Sequence, residues 1–420
     1  MDASVRFCAV FWLAGATLAA AAQPPAVSSS LRLVSRDLSP ETPGWHNALY
    51  FQRAGSCLRS GDRVSADNGR TWTAEPMQPD YASGLPQGYR RSPVTSVLDP
   101  FAGRLITIVN ALDTPGLDHK VQEPAVAQQT YYLRYRVSAG AGRNWLFDEP
   151  VVQAGPFSAR HPFEGVWIGT NSIYLGDLGC IPLVTGAGKV LIPTQTTPAG
   201  ADGKLWNPSG GYTYTDVLVL IGTWTNGQRL TWHASRRVVG DPNRTTRGLI
   251  EPTLAEFPDG RILMVMRGSN GGEADPRHEL PSYKWFAVSR DGGETWSTPE
   301  PWGFEDGQPF FSPSSMSGLF RHSSGRCFWV GNLCDRNCEG NLPRWPLVAG
   351  EVDRRSLKLL RSSLFTVDTQ TPADKPRGRL DLSHLTLVED RETRQIVLTY
   401  PRSYGAYRSN EWATARLAVR

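Results

Sequence analysis

The feature that most restricts how this chain can fold is a phrase written several times over. A short opening run is followed by a polar turn, then Gly-Arg or a relative, then a strand of apolar and β-branched residues. It reads RSPVTSVLDPFAGRLITIVN from Arg91, CIPLVTGAGKVLIPTQ from Cys180, IEPTLAEFPDGRILMVMRG from Ile250, FSPSSMSGLFRHSSGRCFWVGN from Phe311 and SHLTLVEDRETRQIVLTYPR from Ser383. A weaker sixth version, HNALYFQRAGSCLRSG, begins at His46. A strand-built repeat of several dozen residues is the mark of a β-propeller blade, and six starts predict six blades. Long amphipathic helical patterns are almost absent, so the expected fold class is all-β. A β-sandwich with repeated hairpins is the alternative, but sandwiches do not normally reuse so specific a phrase.

A second repetition supports the first. SADNGRTW, Ser65 to Trp72, returns as SRDGGETW, Ser289 to Trp296, both of the form S-x-D-x-G-x-T-W. Gly69 and Gly293 supply the positive φ of a tight turn, Asp67 and Asp291 accept from turn N–H groups, and the Ser adds a second polar tie. Trp72 and Trp296 give each hairpin an apolar plug. SAGAGRNW, Ser138 to Trp145, reads as a decayed third copy that has lost its Asp.

The chain has 420 residues, 40% hydrophobic, so a large core is available. Its net charge is +4 with Lys and Arg scattered, which argues against nucleic acid or a membrane surface as partner. Residues 1–22 have the Arg, apolar run and small-residue ending of a secretory signal peptide, predicting a secreted or periplasmic protein with no membrane insertion after cleavage. Residues 23–39 are then expected as a linker and 40–420 as a single propeller domain. Cleavage removes Cys8 and leaves five cysteines, an odd number, so disulfides are not the organising principle. Cys334 and Cys338, in CDRNC, read equally as a small loop bridge or as two ordinary thiols, and their spacing lacks the further ligands of a zinc site. No G-x-S-x-G elbow, H-E-x-x-H helix, P-loop or dinucleotide fingerprint is present, so a site without metal or cofactor is expected. Nothing marks an oligomer interface, and a monomer is expected.

With these motifs the sequence resembles the sialidase (neuraminidase) family, whose six-bladed propellers carry the S-x-D-x-G-x-T-W phrase known as the Asp box. The resemblance runs loosely from about residue 40 to the C-terminus. It implies that Asp67 and Asp291 are structural, because the family's Asp boxes lie away from the active site. Its sharpest part is IEPTLAEFPDGRILMVMRGSN, similar to the family segment in which a Glu opens a strand at the mouth of the funnel and an Arg ends the neighbouring strand. Those positions are Glu251 and Arg267 here. A carboxylate before a Pro at the axial end of an inner strand also points into a central cleft on its own logic, and a hairpin return brings an Arg back to the same mouth.

The family grips its substrate carboxylate with three Arg forks. Arg344, in GNLPRWPLVAGEVD, falls where another of the three is expected; Arg91, in YRRSPV, is placed only by its position at a blade start. Two departures stand out. The family's first Arg lies in an Arg-Ile-Pro phrase of the first blade, where this chain has WHNALYF, and the family's Tyr nucleophile is replaced by Ser383 and His384 in DLSHLTLVED. His46 and His384, in the two closing blade starts, would bring two groups titrating near neutrality to one mouth, as acid and base for hydrolysis or as the base of a lyase. The family's acid is an early Asp, for which Asp113 is preferred over Asp118 in ALDTPGLD. Tyr174, Asp177, Tyr212 and Tyr214 lie ahead of strands in polar, aromatic segments and are candidates to face sugar.

The resemblance implies a secreted exo-glycoside hydrolase that removes a terminal acidic sugar from a glycan. The departures keep two alternatives open: a polysaccharide lyase or non-sialic glycosidase on the same propeller, and a carbohydrate-binding propeller without catalysis.

Overall fold

The computed structural model of the protein describes residues 30–75, 94–112, 127–140, 142–406 and 409–420. Among these residues the strands form six antiparallel sheets arranged as the six blades of a propeller, as the repeat predicts. Blade one holds Leu49–Tyr50, Leu58–Ser60, Arg63–Ser65 and Thr73–Ala74; blade two holds Val94–Asp99, Arg104–Ala111, Tyr132–Ser138 and Trp145–Pro150. In blade three the first strand is split into Ile173–Tyr174 and Leu183–Val184, followed by Val190–Thr196, Asp216–Thr225 and Arg229–Ala234. Blade four runs Ile250–Glu256, Ile262–Arg267, Lys284–Ser289 and Glu300–Pro301, and blade five Gly318–Arg321, Cys327–Asn332, Leu347–Val352 and Phe365–Asp368. Blade six has a split first strand, Leu380–Leu382 and Thr386–Glu389, then Ile396–Tyr404 and Ser409–Val419.

The outermost strand of blade six comes from the other end of the chain. Leu31–Ser39, inside the stretch expected as a linker, pairs with Ser409–Val419 from Leu31 opposite Val419 to Ser39 opposite Trp412. The propeller therefore begins at residue 31 rather than 40. The correction has a physical reason: a closing strand carries no repeat phrase of its own, because it completes a blade begun elsewhere.

The second strands of blades three to six are buried along their whole length, as in Val190–Thr196, Ile262–Arg267 and Cys327–Asn332. Blade faces cover them on both sides, which is why RILMVMR and RCFWVGN read as apolar runs rather than alternating ones. First strands of neighbouring blades touch around the axis. The backbone N–H of Asn47 donates to Thr386 Oγ1 at 2.9 Å where blade one meets blade six.

In blade four, Ile250 pairs with Arg267 at one end of the sheet and Ile262 with Ser289 at the other. The Ser289–Trp296 turn is thus at the end opposite Glu251 and Arg267. In it, Asp291 accepts from the Thr295 N–H at 3.0 Å and from the Thr295 hydroxyl, and Ser289 Oγ accepts from Gly293 N–H at 2.9 Å. Asp67 and Ser65 repeat these bonds to Thr71 and Gly69. Ser138 still accepts from the Gly142 N–H at 2.9 Å, so the third copy kept its Ser tie when it lost its Asp.

Candidate functional site

Three blades begin with the same backbone device. Asn47, Glu251 and His384 have φ of 54°, 49° and 54°, and each lies two residues before the first regular pair that follows it, at Leu49, Thr253 and Thr386. A non-glycine residue in the left-handed region is uncommon and is held there by its surroundings. In HNALY, IEPTL and SHLTL the second positions thus align as Asn47, Glu251 and His384. His46 is one residue out of this alignment.

Glu251 and Arg267 form a buried ion pair, at 6% and 8% exposure, through Glu251 Oε1 and Arg267 Nη1. The rest of the Arg267 fork is also held: Nε donates to Ser314 Oγ at 2.7 Å and Nη2 to Asn341 Oδ1 at 3.0 Å. The Glu251 N–H donates to Gln195 Oε1 at 2.9 Å, and Glu251 Oε2 is buried with no hydrogen-bond partner among the described residues. Gly176 explains how blade three comes so close: a Cβ there would lie 2.3 Å from Gln195 Oε1 and 2.7 Å from Glu251 Cγ.

The next residue, Asp177, lies in the excursion between the two halves of the blade-three inner strand, and its Oδ2 meets His384 Nδ1 at 2.9 Å. Burial opposes both charges. The attraction outweighs it, so the Asp177 carboxyl is held below its ordinary value and the His384 imidazole above. Arg344 pulls His384 the other way and Glu251 reinforces Asp177, which places all four charges around one mouth. Arg344 is 7% exposed and anchored by its backbone, its carbonyl accepting the Leu382 N–H at 2.9 Å just ahead of His384.

His46 approaches the same mouth from blade one. Its ring packs on Trp412 with centroids 4.6 Å apart, and Nδ1 lies 3.4 Å from the hydroxyls of both Thr386 and Thr399. Burial first, then Arg63 and His384, push its pKa down to about 4. Tyr174 is buried, its hydroxyl donating to Gln128 at 2.9 Å and its ring stacked on Tyr131, and Tyr214 is buried with its hydroxyl on the Gly240 carbonyl. Tyr212 is 55% exposed, with the Arg247 guanidinium over its ring. Arg91, Asp113 and Asp118 lie outside the described residues.

Four members of the site escaped sequence reasoning. Ser314, Asn341 and Gln195 carry no motif, whereas Lys284 leaves a faint signal as a cation heading the apolar strand KWFAVS. Lys284 is fully buried, opposite Arg267 in the sheet, and its Nζ donates to the carbonyls of Pro313 at 3.2 Å and Ser315. Burial, then the neighbouring Arg267, push its pKa down to about 7. The loop that carries Asn341 and Arg344 also holds Cys334 and Cys338, both free thiols, as are Cys57, Cys180 and Cys327. Among the described residues no group of three or more His, Cys, Asp and Glu side chains is placed to hold a metal ion.

A protein of unknown function from Dyadobacter fermentans superposes with a TM-score of 0.55 at 14% identity, covering 93% of this chain and all of that one. The NanB sialidase of Streptococcus pneumoniae gives 0.52 at 14% identity, covering 93% of this chain and 69% of that one. Trypanosoma rangeli sialidase gives 0.51 at 13% identity; this chain covers 55% of its length and 92% of the present chain is matched. The fold is thus the six-bladed propeller of the sialidases, in a divergent form. No protein-family model and no curated protein matches the sequence.

Proposed function

We propose that the protein is a sialidase-like exo-glycoside hydrolase acting on a terminal acidic sugar of glycans, secreted by way of the N-terminal signal peptide and working as a monomer. The observation that carries this reading is the gathering of Arg267, Arg344, Glu251, Asp177 and His384 at the axial mouth of a sialidase-type propeller. Arg267 is pre-oriented by three acceptors from three elements, and Arg344 adds a second guanidinium, a geometry suited to a planar carboxylate. Asp113 remains the proposed acid and Arg91 a proposed further contact to the sugar.

The test is incubation of the mature protein with sialylated and uronic-acid-capped glycans, followed by mass analysis of the products. Release of an intact acidic monosaccharide is expected. An unsaturated uronic product absorbing in the ultraviolet would establish the lyase instead, and tight glycan binding without any product would establish a binding propeller. Arg267→Lys keeps the charge facing Glu251 but cannot hold Ser314 and Asn341 at once. It is expected to lower kcat/KM at least about 100-fold, the size of losing a preorganised donor to the reacting group, while the melting temperature changes little.

A further inference from the structure

We propose that His384, oriented by Asp177, is the base of this site and activates a water for direct displacement at the anomeric carbon, so that hydrolysis inverts configuration. The proposal rests on the reading of the substrate as a terminal acidic glycoside.

Three observations carry it. First, exposure separates the candidates: the His384 side chain is 37% exposed, whereas Asp177 is at 14%, Arg267 at 9% and Glu251 at 7%. Of these four groups His384 is the most open to solvent. Second, the contact of Nδ1 with the Asp177 carboxylate fixes the neutral tautomer with its proton on Nδ1 and its basic lone pair on Nε2. A carboxylate behind an imidazole is the arrangement that orients a base and stabilises the imidazolium it becomes. Third, Glu251 is committed elsewhere, its Oε1 to Arg267, and the buried tyrosines of blade six point away: Tyr400 donates to Asp368 at 3.0 Å and Tyr404 to Asp374 at 2.8 Å. Neither of these two hydroxyls meets Glu251.

In the step, a water proton passes to His384 Nε2 as the water oxygen bonds to the anomeric carbon. The glycosidic C–O bond breaks, its electron pair leaving on the aglycone oxygen. An aryl aglycone departs as the phenolate and is protonated by solvent, after which the imidazolium returns its proton to water. The groups that set the charge of His384 are Asp177 from blade three, Glu251 from blade four, Arg344 from the connection within blade five, and His46 from blade one.

The experiment follows an aryl α-glycoside of sialic acid, and in parallel an aryl uronide, by proton NMR for the anomer first formed and by rate against pH. Inversion is expected. A fall of kcat/KM on the acid side is also expected, displaced to lower pH in Asp177→Asn because the charge that raises the imidazole is gone, and absent in His384→Gln, whose kcat falls at least about 100-fold. Retention of configuration, or an acid limb unmoved in Asp177→Asn, would overturn the role of His384 while leaving the substrate reading intact. Cleavage of the uronide alone would keep the acidic-sugar reading and identify the sugar as a uronic acid, and the two tests of His384 would then be decided on the uronide. Failure to cleave either glycoside would overturn both.

Discussion

At the scale of the residue, His46 shows how a charge-bearing side chain can be tied to stability as well as to the site. Its pKa of about 4 in the fold, against about 6.5 in an unfolded chain, means that the unfolded state binds a proton that the native state refuses. Stability is therefore fully present above about pH 6.5 and is lost as pH falls through 4. Allowing for the solvent that still reaches the ring, the loss is about 2 kcal/mol. Replacing His46 with Gln should flatten the fall of melting temperature between pH 6.5 and 4, as calorimetry across that range would show; an unchanged slope would mean that other groups govern it. The sequence brought His46 and His384 forward as a pair, but the backbone aligns His384 with Glu251 and Asn47 instead. That one-residue offset is invisible in HNALY and SHLTL because it depends on which residue takes positive φ, a choice made by the packing of the neighbouring blades.

At the scale of the element, the S-x-D-x-G-x-T-W turn was the most legible part of the chain, since each of its polar residues bonds within the turn itself. Its attachment to the blade is less local. Gly69 has φ of 78° and faces Trp45, so that a Cβ would lie 2.2 Å from the indole, and Trp72 in turn lies edge-on to Trp45 at 6.4 Å. Gly69→Ala should therefore cost about 2–4 kcal/mol, backbone strain and overpacking together, while leaving the mouth at the far end of the blades unaffected. The check is chemical denaturation beside turnover: a stable variant would show that the indole can move aside, and a stable but inactive one would place the turn in the site.

At the scale of the whole molecule, the ring is closed by side chains as well as by the strand Leu31–Ser39. Arg402 binds Asp368 and Asp374 together, Tyr400 and Tyr404 donate to the same two carboxylates, and Arg36 of the closing strand pairs with Asp368 at 2.8 Å. Asp368 ends blade five, Arg402 belongs to blade six and Arg36 comes from the N-terminal part of the chain, so one buried network joins three separate parts of the sequence. Arg402→Met would leave buried Asp374 without a guanidinium and Asp368 with Arg36 alone, and a loss of about 3 kcal/mol is expected. Thermal unfolding would measure it; a variant as stable as the parent would mean that the network contributes specificity rather than stability.

The sequence by itself determined the number of blades, the turns that punctuate them and the pairing of Glu251 with Arg267. Each of these is local or repeated: hairpin chemistry acts over a few residues, and repetition multiplies a weak signal. Only the tertiary structure decided that Asp177 sits against His384, that Lys284 is buried beneath Arg267, that Asn341 and Ser314 complete the guanidinium's shell, and that residues 31–39 close the ring. Asp177 meets His384 from another blade, Ser314 and Asn341 reach Arg267 from beyond blade four, and residues 31–39 come from the far end of the chain. A propeller mouth is assembled from single residues of many blades, and no spacing along the chain records which of them will meet.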